Sequence, residues 1–234
     1  MPISPDILAA ARKLKPAAVS ALLREEYPMV YRMARGLTGR DDAARSVVRF
    51  VVRQGLHAMP RWQDETAPHR WFQHHTVLTA RRTRRHEPDA QRDVLVSHAT
   101  APDPAYVAFV RALRHLPIQQ KEAFILAQGE RLDTRQLAIA MDCSTEAAAN
   151  HLIAARQALL SVAGDTVGAL SDRVAAAYAR LQAPEELVIP SVQSYVRRYI
   201  SLARLGRAAL WILVLAVVGF IALVAWEMRN AIHI

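Results

Sequence analysis

The chain has 234 residues, 52% of them hydrophobic and 22% charged, which is enough apolar material for a real core and excludes a disordered or collagen-like chain. A single cysteine, Cys143, excludes a disulfide framework, a Cys-rich zinc module and a CxxC redox pair. The net charge of +9 is nearly all arginine, since lysine occurs only at Lys13, Lys15 and Lys121, and it favours an anionic partner, nucleic acid or acidic lipid.

That charge is unevenly placed. Residues 1–95 carry 17 basic and 10 acidic side chains, a net of +7. Residues 96–164 balance at 6 and 6, and residues 165–234 carry 7 and 5. The anion-seeking part is N-terminal.

No segment alternates with period two, so the predicted fold is all-α: two small helical domains joined by a linker, followed by one transmembrane helix. Residues 17–35 set Leu22, Leu23, Tyr27, Val30, Tyr31 and Ala34 at helical spacing. Gly36 and Gly39 are expected to break that helix, and Asp41 or Asp42 to cap a second one ending near Met59, before Pro60. A third runs from about Arg70 to His86, closing a first domain over 17–86. Residues 87–103 lack periodicity and read as a linker. Helices at 104–115, 118–128, 134–141 and 145–163 form the second domain, 104–163. Another helix at 166–182 and a Pro184/Pro190 linker fill a juxtamembrane stretch, 164–206.

Within the second domain, Asp133 and Gln136 have the spacing of a capping box, opening a short helix that turns Leu137, Ala138 and Met141 inward. Asp142 and Cys143 make a tight turn, Ser144 caps the next helix, and Ala148, Leu152, Ala155 and Leu159 form its apolar face. Short helix, tight turn, longer helix is a helix-turn-helix layout. On the opposite face Asn150 is suited to a bidentate contact with adenine, and His151 is the one residue between 147 and 154 that can carry positive charge.

Two arginine groups stand out. Arg81, Arg82, Arg84 and Arg85 put four guanidinium groups within five residues at a helix end, where each can fork onto a phosphate. They are predicted DNA contacts, with Trp62 and Trp71 as candidates for base stacking or core packing. Arg45, Arg49 and Arg53 stand at i, i+4 and i+8, a cationic stripe whose like charges cost about a few tenths of a kcal/mol per pair unless something anionic meets it.

The tail predicts localisation. Ala208 to Trp226, with Trp211 near its start, is an uncharged run between Arg207 and Glu227, about 28 Å long as a helix and close to bilayer thickness. The predicted span is 207–227. Arg197, Arg198, Arg204 and Arg207 precede it and Arg229 alone follows, so residues 1–207 are expected in the cytoplasm with the span in the inner membrane. Met1 to Pro16 lacks an apolar core of signal-peptide length.

These residues together resemble a family. Leu116-Pro117, Lys121 to Leu126, Gln136 to Ala138, Met141 to Ser144 and Ala155 to Leu159 are similar to region four of RNA polymerase sigma factors of the extracytoplasmic-function type. Tyr27 to Ala34, Leu37 to Gly39, Asp42-Ala43, Trp71-Phe72 and Arg81 to Arg85 resemble region two. The resemblance implies that region two reads and melts the downstream promoter element while gripping core polymerase, and that region four reads the upstream element. It also exposes a departure. Where the family carries Asp-Ala-Glu-Asp and then Gln-Glu, this chain has Ala44, Arg45, Val48 and Arg49 in place of the last two acids and the pair. Binding to core polymerase is therefore expected to be weak or to use another surface, with Arg45, Arg49 and Arg53 as a partner-binding stripe.

No Gly-rich phosphate loop, HExxH or zinc spacing is present; His69, His74, His75 and His86 do not repeat at i, i+4 on one face. No catalysis, metal or cofactor is expected. Two readings compete: a membrane-tethered sigma factor binding promoter DNA and RNA polymerase, and a degenerate sigma-like module that sequesters or recruits a regulatory protein at the membrane.

Overall fold

A computed structural model describes residues 3–83, 92–183 and, in the tail, 194, 197–199, 201–202, 205–206 and 208–221. Among these, every regular element is helical: α1 (Pro5–Arg12), α2 (Pro16–Thr38), α3 (Asp41–Ala58), α4 (Ala67–Thr83), the short α5 (Val94–Ser97), α6 (Pro104–His115), α7 (Ile118–Gly129), α8 (Thr134–Met141), α9 (Thr145–Ala163) and α10 (Val167–Ala179). The chain divides into two units, Met1–Ile189 and Pro190–Ile234.

In the first unit, α2 is the central strut. It starts with Pro16 in its first turn, where no backbone donor is missed, and ends at Gly39, whose left-handed φ of 75° lets its N–H reach the Arg35 carbonyl. The helix does not break at Gly36 as its sequence suggested. Gly36 is there for a close approach: a Cβ on it would lie 2.2 Å from a ring carbon of Tyr178 in α10. Gly129, at the end of α7, receives the same ring, with a Cβ-to-ring distance of 2.6 Å. Tyr178 is wholly buried, so α10 wedges between a helix of each predicted domain.

The predicted linker is also structural where it is described. Val94, Leu95 and Val96 are buried, and Asp93 is fully enclosed. Its carboxylate accepts from Arg114 Nε at 2.6 Å and Nη2 at 2.9 Å, while Arg114 Nη1 donates to the carbonyls of Gly36 and Leu37. A buried ion pair that also caps a helix end fixes geometry by satisfying every charged atom it encloses. Residues 17–83 and 104–163 thus pack within one unit, with residues 93–96 as part of its core. Residues 84–91 lie outside the described residues.

The second unit contains a helical run over 208–221, with Ala208, Trp211 and its neighbours exposed along it. Among the described residues no helix is long and apolar enough to cross a membrane, so the predicted span over 207–227 is not found there. Arg207 and residues 222–227, including Trp226, lie outside the described residues.

Candidate nucleic-acid interface

The helix-turn-helix is built by local hydrogen bonds. Asp133 Oδ1 accepts from the Gln136 backbone N–H at 2.8 Å, and Gln136 Oε1 accepts from the Asp133 N–H at 2.9 Å, the reciprocal pair of a capping box. The corner is Asp142, a left-handed residue at φ 59°, ψ 56°, whose N–H bonds the Ala138 carbonyl. Ser144 Oγ then accepts from Ala147 N–H at 3.1 Å and starts α9. Leu137, Ala138 and Met141 are buried against Ala148, Ala155 and Leu159 of α9; Leu152 is only half-buried.

The outer face of α9 presents exposed Glu146, Asn150, Arg156 and Gln157, with His151 half-buried. Ile153 and Leu160 also stand there, 51% and 50% exposed. Arg156 is the one guanidinium on this helix, so the face has little with which to neutralise phosphates.

What the sequence did not announce is the position of α4 against this motif. His74 Nδ1 lies 3.1 Å from the Ile139 carbonyl oxygen of α8, and Arg81, in the last turn of α4, reaches α7. Arg81 Nη2 bonds Glu122 Oε2 at 2.8 Å and the Met141 carbonyl at 3.2 Å. Glu122 is fully buried and its charge demands a cation; this bond holds the Arg81 guanidinium above its ordinary pKa. Between the two halves lies an open cleft of about 820 Å³. Trp62, Arg70, Trp71 and His74 line one wall, and Arg135, Ile139, Ser144 and Thr145 line the other. The first turn of α9, the end that enters a DNA groove in helix-turn-helix proteins, therefore opens onto α4.

Each predicted contact can now be placed. Arg81 does not join a free DNA-facing cluster, because the buried Glu122 carboxylate holds it in an interhelical ion pair. Arg82 is exposed beside it, and Arg84 and Arg85 lie outside the described residues. Trp62 is buried and packs edge-on against Phe72 with ring centroids 5.7 Å apart, so it belongs to the core. Trp71 is half-exposed on the cleft and stacks on His75 at 3.8 Å. Burial lowers the His75 pKa. His69 bonds the buried Glu26 carboxylate at 3.0 Å, which raises its pKa. Arg45, Arg49 and Arg53 are exposed in a row along α3.

Sequence reasoning missed the cleft residues Arg70 and Arg135, and it missed the three-way bond in which Glu130 receives both Arg32 and Tyr178. One signal was available. A glutamate inside the apolar run Lys121 to Leu126 must find a cation when that run is buried.

No curated protein sequence matches the chain. Residues 106–159 match the family model described as Sigma-70, region 4, an interval that starts within α6 and takes in the whole helix-turn-helix as far as Leu159. Capped corner, second helix and family match coincide on the same residues, so this part of the chain is similar to sigma-70 region 4 in both sequence and helix-turn-helix layout.

Proposed function

We propose that this chain is a membrane-tethered sigma factor of the extracytoplasmic-function type, which binds promoter DNA and core RNA polymerase to direct transcription initiation. The observation that carries this reading is the region-four match on a helix-turn-helix whose caps and corner are all in place. Asn150 and His151 would read bases from α9. Arg82, with Arg84 and Arg85, would grip backbone phosphate beside them, as the excess of positive charge in residues 1–95 favours. The apolar run 208–226 and the arginines before it favour a tail held in the inner membrane, with the DNA-binding part in the cytoplasm. The protein acts by binding rather than catalysis.

Selection of duplexes from a random library by the full chain in nonionic detergent tests this. One enriched motif is expected, lost when Ser144→Ala and Asn150→Ala are combined. Recovery of no motif contradicts it.

A second reading has its own support. Ile153 and Leu160 give the outer face of α9 an apolar character that suits a protein better than a DNA groove, and α4 walls the start of that helix. On this reading the sigma-like scaffold sequesters or recruits a regulatory protein. Library selection then fails while the fold is intact.

A further inference from the structure

Helix α3 buries one side completely: Ala44, Val47, Val48, Val51, Val52, Gly55 and Leu56 all face the core. The other side carries Arg45, Arg49 and Arg53, each exposed, spaced about 6 Å apart along a line about 12 Å long. The two carboxylates of this helix do not relieve them. Asp41 is held by Arg35 at 2.5 Å, and Asp42 by Arg40 at 2.5 Å. Among the described residues no carboxylate pairs with Arg45, Arg49 or Arg53, so their mutual repulsion stands uncompensated. Beside the row, one turn from Arg53, Phe50 is 46% exposed.

We propose that this face docks an acidic helical segment of another protein. Three features select that occupant. Guanidinium groups fork onto carboxylates, and a helix with acids at every fourth position repeats at the same rise as the arginines, so all three pairs form at once when the two lie side by side. An aromatic ring flanked by arginines is the composition of an interface anchor, and an apolar row on the partner covers Phe50. Duplex phosphates satisfy the arginines but leave Phe50 uncovered. An acidic lipid surface is usually met by clusters of about four to eight basic residues, more than this row supplies. The proposal does not rest on the proposed function, since the arginine row and Phe50 are features of α3 itself.

The test uses the full chain in nonionic detergent and a fluorescein-labelled synthetic helix with Glu at every fourth position and Leu beside each. Anisotropy should report binding that weakens about tenfold or more when Arg49→Glu and Arg53→Glu are combined. Phe50→Ala should weaken it about fivefold. A counterpart peptide with Lys for Glu should bind the reversed chain more tightly than the native one, which separates lost charge from lost fold. The proposal is overturned if the Glu peptide does not bind, or if a Gln counterpart binds equally well. It is also overturned if the reversal weakens binding of duplex DNA or phosphatidylglycerol vesicles and leaves the peptide unchanged.

Discussion

The Tyr178 hydroxyl donates to Glu130 Oε1 at 2.8 Å, and the same carboxylate holds Arg32 through two bonds of 2.8 Å. One carboxylate at the end of α7 therefore ties α10 to α2. The ring between them fills the space left by Gly36 and Gly129. Full burial raises the Tyr178 pKa well above its usual value, so the hydroxyl remains a donor across the working pH range.

Removing that ring should be severe. Tyr178→Ala is expected to cost about 3–5 kcal/mol of stability, the range for deleting a buried aromatic side chain, and Tyr178→Phe about 1–2 kcal/mol for the lost bond. Gly36→Ala should destabilise the native chain but stabilise the Tyr178→Ala background, where the space is open and alanine is the better helix former. Urea unfolding of the four chains in this cycle measures both. Additive effects would show that ring and glycine do not compete for one space.

Adjacent arginines at the end of α4 should behave differently. Arg81→Ala removes a cation that forks onto buried Glu122 and is expected to cost about 3 kcal/mol, whereas exposed Arg82→Ala should change stability by less than about 0.5 kcal/mol. If Arg82 meets phosphate, its loss weakens DNA binding and lowers the salt slope by about one. Denaturation and salt titration on the same two variants separate the roles.

The His69–Glu26 pair gives a pH dependence. The bond to Glu26 raises the His69 pKa, so the folded state holds the proton more tightly than the unfolded one. The resulting stability is fully present below the ordinary histidine pKa of about 6.5 and is lost as pH rises through the higher folded value. The native chain should therefore lose stability relative to His69→Gln on going from acid to mildly alkaline pH. Denaturation midpoints of the two chains across that window check the sign, and parallel curves would contradict it.

What was legible in the sequence was local. The capping box of Asp133 and Gln136, the Asp142 corner and the Ser144 cap involve neighbours a few residues apart, so spacing alone identified them. The arrangement of the halves was not legible, because its contacts join distant positions: Arg32 and Glu130 are 98 residues apart, and Arg81 and Glu122 are 41 apart. Gly36 shows why. Helix breaking and close packing both call for glycine, and only the arrival of Tyr178 decides between them. The segment containing Asp93 read as a linker because four residues of helix have no periodicity, yet Arg114 makes it core.

The caps of the helix-turn-helix give a local test. Asp133→Ala and Ser144→Ala should each cost about 1 kcal/mol, since each leaves a helix N-terminal donor unpaired. Ser144→Ala should also lower DNA affinity if α9 enters a groove by its first turn. A loss of stability without a loss of affinity would place the DNA contact elsewhere.

Reconstituted transcription tests the central claim most directly. Core RNA polymerase, a genomic DNA library and the full chain in nonionic detergent are combined, and transcript start sites are mapped with and without the chain. Starts that appear only with the chain, share an upstream motif, and disappear when Ser144→Ala and Asn150→Ala are combined are the expected result. An identical set of start sites with and without the chain would contradict the account.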